Sequence, residues 1–186
     1  MRTRWDSVVE AADLALLGIV TLAAALPVVT AGGAVAAASA AVRDRCATGS
    51  LPSWRTTGSR FRKGILPGSG ATAVMLAAAV LLLIDVRALM RGVVPGGPAV
   101  LAVTAGVAVL LCGLGGLVLI EVGRREGRAW LVSLRTAMGA AWQRPGRILL
   151  AGAIGVLATL LALAVPVTAP VVLGCYLFAL HASARG

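Results

Sequence analysis

The chain has 186 residues, of which 59% are hydrophobic and only 13% charged, and its mean hydropathy is +0.95. An ordinary soluble domain carries roughly a quarter of its residues charged, so this composition excludes that class and points to the membrane. The formal net charge of +10 would suggest nucleic acid in a soluble protein; here the placement of the charges decides what they do.

Arg2 and Arg4 open the chain ahead of an apolar run from Val8 to Leu26. The opening has the form of a secretory leader, but Glu10 and Asp13 interrupt the run and more apolar runs follow, so it reads as a signal-anchor span. The later runs are Val28 to Val42, Ile65 to Ile84, Ala99 to Ile120, Ile148 to Val165 and Val167 to Leu180. Crossing about 30 Å of hydrocarbon takes roughly 20 helical residues. The second and sixth runs are shorter than that, and each follows a proline, Pro27 or Pro166, that breaks the helical ladder. The expected architecture is an all-α bundle of about six transmembrane helices, the second and sixth short.

With the N-terminus inside, every basic residue except Arg87 and Arg91 falls on the cytoplasmic side, which is the bias of the positive-inside rule. Topology then accounts for the charge without nucleic acid. The expected location is a bacterial plasma (inner) membrane, multi-pass, with both termini cytoplasmic.

Two cytoplasmic connectors have helical amphipathicity. From Trp54, the residues Gly58, Phe61 and Ile65 share one side, with Arg55, Arg60, Arg62 and Lys63 on the other. From Trp130, the residues Leu131, Leu134, Ala137, Met138, Ala141 and Trp142 share a face, with Arg135, Thr136, Gln143 and Arg144 turned away. Both are expected to be interfacial helices, with aromatics at the headgroups and arginines toward an anionic cytoplasmic leaflet. The same basic face suits a membrane-protein partner.

The connectors echo each other as "WRTTGSRFRKGIL" and "LRTAMGAAWQRPGRIL", and "LPVVTAGG" is echoed by "VPVTAPVV". These echoes divide the single domain, 1–186, into three hairpin units at 5–48, 53–123 and 130–185. Within the first unit, Gly32, Ala36 and Ala40 are spaced by four, as are Gly33, Ala37 and Ala41. Two small-residue ridges on one helix allow neighbouring backbones to touch, so this helix is expected at the centre of the bundle. A second reading gives Pro27, Thr30 and the two glycines a functional break, where freed backbone groups meet a ligand or a moving partner.

Intramembrane ionisable residues are the default pointers to function in such a chain. Asp13 is the deepest of them, about one turn into its run, and is expected to pair with Arg60 or Arg62. Asp85, Glu121 and the single histidine, His181, end later runs. Cys46, Cys112 and Cys175 have no metal-like spacing, and no metal, cofactor or nucleophile-base set can be assembled. Gly68-x-Gly70-x-x-Ala73 has the spacing of a dinucleotide fingerprint but opens a membrane span instead of following a strand. The chain carries no Gly-Lys-Ser/Thr phosphate loop, and "EAAD" at Glu10 to Asp13 leads into a span instead of lying between two as a permease coupling loop would.

Leu26-Pro27-Val28-Val29-Thr30-Ala31-Gly32, the small-residue stretch Ala34 to Arg45 and "SWRTTGSRFRKGI" follow one another between Gly18 and Ile65. This order resembles the YesL family of bacterial integral membrane proteins, a domain family with no assigned biochemical activity. The chain departs from that pattern at Gly18, where an Asn is common, and in having fewer aromatics. The resemblance implies an accessory role beside ABC-type carbohydrate uptake. Together these readings predict a non-enzymatic membrane protein that binds a partner such as transport machinery. The alternative is a small transporter or channel whose pathway runs along the Gly/Ala-rich second helix.

Overall fold

The computed structural model describes residues 4–91, 97–126 and 129–184. Seven α-helices follow in order: α1 Arg4–Ala25, α2 Ala31–Thr48, α3 Trp54–Met90, α4 Gly97–Arg124, α5 Trp130–Gln143, α6 Pro145–Ala164 and α7 Ala169–Ser183. Among the described residues there is no strand, so the all-α class read from the sequence holds. Among the described residues, four segments are long and apolar enough to cross a membrane: Trp54–Met90, Gly97–Arg124, Pro145–Ala164 and Pro166–Ser183. Ala11–Ala25 is a shorter apolar helix. The protein is a multi-pass membrane protein.

The first connector is not a separate interfacial helix. It is the N-terminal part of α3, a single helix of 37 residues that runs from Trp54 through the third apolar run with Pro67 inside it. Ser53 starts the helix by accepting a hydrogen bond from the Thr56 amide at 3.3 Å, as an N-cap does. Gly64 and Gly68 then face α2 on either side of Pro67, so packing holds both halves of α3 in line where propensity alone would end a helix. The second connector does form its own helix, α5. It stops at Arg144, which leaves helical geometry (φ −139°, ψ 78°), and Pro145 begins α6, the helix position where proline costs least.

Two elbows join antiparallel neighbours, α1 to α2 and α6 to α7. Each is a 3-10 turn, Val28–Thr30 or Pro166–Thr168. In the first, the Thr30 amide and hydroxyl both donate to the Pro27 carbonyl, each at 2.8 Å. In the second, Thr168 does the same to Val165, at 2.9 and 2.7 Å. The proline breaks the ladder, and the threonine hydroxyl bonds a carbonyl within the turn.

The core is made of small side chains. Helix α2 packs against α1, α3, α4 and α7, and Ala36, Ala40 and Val42 have no exposed surface. At the α2–α3 crossing a methyl group on Gly68 would lie 2.8 Å from the Gly32 carbonyl carbon and 3.1 Å from the Gly33 Cα. Glycine is required at such an approach because the obstacle is backbone. Gly18 and Gly174 do the same at the α1–α7 crossing, where they meet the carbonyls of Pro170 and Leu14. Large apolar side chains face outward, as Val74 and Leu81 do from α3. Lipid solvates them there.

Candidate functional site

Charged side chains from each of α1, α2, α3 and α4 meet at one end of the bundle. Helix α2 ends in Arg43, Asp44 and Arg45, and each reaches a different neighbour. Arg45, nearly buried, donates to Asp13 of α1 at 2.7 Å. Asp44 accepts from Arg43 beside it and from Arg60 of α3, both at 2.7 Å. Arg43 also donates to the Arg124 carbonyl that ends α4, at 2.8 Å. On α4, Glu121 pairs with Arg125 at 3.0 Å and more loosely with Arg124 at 3.6 Å. Glu126 lies 3.8 Å from Arg60.

Asp13 therefore pairs with Arg45 and not with Arg60 or Arg62, as the sequence reading expected. The reason is topological. The elbow folds α2 directly back on α1, which brings the last turn of α2 level with the third turn of α1, while α3 lies across α2 and gives its arginine to Asp44.

Burial pushes the Asp44 carboxyl up, but the hydrogen bonds and charges of Arg43 and Arg60 outweigh it and hold the carboxyl below the usual carboxylate range. The ion-paired state is thus fully charged at neutral pH. Its contribution to stability is present above the ordinary aspartate pKa and is lost as pH falls through the lowered folded value.

The proposed basic face divides in two. Arg60 is turned inward with 12% of its side chain exposed and belongs to the ion-pair network. Arg55, Arg62, Lys63, Arg135 and Arg144 are exposed, and none forms an ion pair with a described residue. The aromatics also divide. Trp142 is 86% exposed and Trp54 is 52% exposed, whereas Phe61 and Trp130 are half-buried. In α5 the apolar face read from the sequence is split: Leu134 and Ala137 pack inward with Trp130, while Leu131, Met138 and Trp142 stand outward around Arg135. The indole nitrogen of Trp130 and the hydroxyl of Ser133 are buried without a hydrogen-bond partner among the described residues.

The break at Pro27 is closed by the protein's own groups. Thr30 donates to the Ala24 carbonyl at 2.6 Å as well as to Pro27. The Gly32 amide, an orphan donor in the first turn of α2, is taken by the Thr72 hydroxyl at 2.8 Å, and that hydroxyl donates onward to the Gly68 carbonyl at 3.0 Å. Gly68 of the fingerprint-like stretch serves this contact, while Gly70 faces open space. Gly33, Ala36 and Ala40 are buried.

A buried polar contact between α2, α4 and α7 was missed from the sequence. Ser39 donates to the Leu119 carbonyl at 2.6 Å, and its oxygen lies 3.4 Å from His181 Nε2. His181 Nδ1 is 2.9 Å from the Leu177 carbonyl. Gly123 makes room, since a methyl group there would come within 2.6 Å of the Ser39 hydroxyl. The available signal was one serine in a run of alanines and one histidine at the same end of the bundle. Among the described residues, no group of three His, Cys, Asp or Glu side chains could share a metal ion.

Comparison with protein-family models, with curated proteins and with solved structures finds no match for the chain.

Proposed function

We propose that the chain is a non-enzymatic accessory protein of a bacterial plasma membrane, which binds a membrane-protein partner through the exposed basic residues at the charged end of the bundle. The observation that carries this reading is the division of labour among the arginines. Arg43, Arg45 and Arg60 are consumed in locking four helices together, whereas Arg55, Arg62, Lys63, Arg135 and Arg144 remain exposed and without a carboxylate partner among the described residues. A fixed frame that presents uncommitted cations suits recognition of an acidic surface. In the six-crossing topology with both termini cytoplasmic, this end faces the cytoplasm. The outward Leu131, Met138 and Trp142 of α5 then sit at the headgroup level of an anionic leaflet. The association with carbohydrate uptake rests on the resemblance of residues 18–65 to the YesL family.

The transport alternative needs a path along α2. Against it, the Thr30 and Thr72 hydroxyls occupy the freed backbone groups at the break, and α2 is enclosed by α1, α3, α4 and α7. The deciding experiment is co-purification from native membranes with the wild-type chain and with the triple variant Arg55→Gln, Arg62→Gln, Lys63→Gln. Arg60 is kept because it is structural. The expected result is loss of the co-purifying partner at unchanged yield and melting temperature. Full retention of every co-purifying protein by the well-folded triple variant would refute docking at this face.

A further inference from the structure

At the charged end, α5 lies across the ends of α4 and α6, and a cleft of about 110 Å³ opens beneath it. Its floor is apolar, built from Leu117 and Ile120 of α4 and Leu150 and Ala151 of α6, and its rim carries Arg124, Arg147 and Glu121. Glu121 is answered at 3.0 Å by Arg125, which leaves Arg124 only a loose contact at 3.6 Å. Arg147 is exposed and has no ion pair with a described residue. The cleft therefore presents two guanidiniums, on helices that pack against each other, above a greasy floor.

We infer that this cleft binds the phosphate of an anionic phospholipid, held between Arg124 and Arg147 with its acyl chains running down the outside of α6. Three features carry the assignment. Guanidinium forks match phosphate oxygens geometrically, and basic pockets between membrane helices on the charged side are where phospholipid headgroups are held. The volume is several times what one buried water needs, the scale of a phosphate group and not of a whole lipid. Apolar surface continues along α6 beyond the cleft, since Leu149, Leu150 and Leu157 are all about half exposed and offer acyl chains an apolar track. A free phosphate would use the arginines but gain nothing from that track, so the source is the lipid. The inference rests on the membrane location of the chain and not on the docking of a protein partner, which uses other arginines.

The test uses the full chain, delipidated in detergent, with binding of phosphatidylglycerol, phosphatidylcholine and inorganic phosphate followed by native mass spectrometry and by melting temperature. The wild type should retain one phosphatidylglycerol in preference to phosphatidylcholine, and millimolar inorganic phosphate should not displace it. The double variant Arg124→Gln, Arg147→Gln should weaken that binding about thirty-fold, the equivalent of roughly 1 kcal/mol for each arginine charge removed. The charge-matched variant Arg55→Gln, Arg62→Gln should keep the bound lipid. Ala140→Phe, which fills the cleft from α5 and removes no charge, should lose it, and it decides the matter if the double variant aggregates. Equal binding by both charge variants, retention by a folded Ala140→Phe, or full displacement by inorganic phosphate would each overturn the proposal.

Discussion

Helix α2 and the outer half of α3 are both uncharged apolar helix for most of their length, yet they have opposite places in the molecule. Between Gly33 and Val42, α2 is buried at every position except Val35, although its side chains are mostly methyl groups. The apolar window of α3 has no buried residue at all, although it carries the bulk of Val74, Leu76, Val80 and Leu81 to Ile84. In water the larger side chains would go inside, because burial there follows apolar area. In lipid both kinds of surface are solvated equally well, so the helix that lets backbones approach goes to the centre. Side-chain volume, and not hydropathy, sorts inside from outside here. The two helices also end differently: α2 ends in Arg45 and Asp44, held in ion pairs, and α3 in the exposed Arg87 and Arg91.

The strongest way to break this contrast is to add volume where the two helices touch. Gly68→Leu would drive a side chain into the backbone of Gly32 and Gly33, and should cost at least about 3 kcal/mol or prevent folding. Gly70→Leu, two residues on and facing open space, should stay within about 0.5 kcal/mol. Thermal unfolding in detergent measures both, and equal effects would remove α3 from the centre of the account.

The ion pairs at the end of α2 give the next effect. Asp13→Ala removes a carboxylate that lies 2.7 Å from the nearly buried Arg45 guanidinium. The cost should be about 2 kcal/mol, below the 3 to 5 of a fully buried pair because Asp13 is 42% exposed. Asp44→Asn should destabilise by about 1 to 2 kcal/mol at neutral pH, since it removes the charge and turns one of the two acceptor oxygens into a donor facing an arginine. That difference has a pH signature. The Asp44 carboxyl is held below its usual range, so the wild-type advantage should be constant above about pH 5 and shrink below about pH 4, as the folded carboxyl protonates. A pH-independent difference would mean that the charge of Asp44 is not what stabilises this end.

The smallest effect is the sharpest probe of the elbow. Thr72→Val keeps the shape but leaves the Gly32 amide without its acceptor, and should cost about 1 kcal/mol. Ser69→Val removes only a local hydroxyl bond to Leu66 within α3 and serves as the comparison, which should change stability less.

Spacing made the central position of α2 legible, because small residues four apart let neighbouring backbones approach in a membrane. The all-helical class and the apolar helices were legible from length and hydropathy. The continuity of α3 was not, because Pro67 signals a break locally and only the glycine contacts across to α2 explain why the helix runs on. Ion-pair partners were half legible. That Asp13 needs an arginine follows from its depth, but which arginine depends on how α2 and α3 flank each other, and periodicity does not encode that. Arg60 was placed on the outer face by helical wheel and turns inward because Asp44 lies opposite. The Ser39–His181 contact joins residues far apart in sequence and has no local pattern.

The central claim is that α2 is a sealed packing core and not the wall of a pathway, and thiol accessibility tests it most directly. In a cysteine-free background, Ala36→Cys and the nearly isosteric Ser39→Cys are compared with Leu81→Cys on the exposed face of α3, each treated in the folded state with a small water-soluble thiol reagent and a lipid-soluble one. The account predicts that the cysteines at positions 36 and 39 resist both reagents until the protein is denatured, while the cysteine at 81 reacts with the lipid-soluble one. Rapid labelling of folded Ala36→Cys or Ser39→Cys by the water-soluble reagent would contradict it and place an aqueous path along α2.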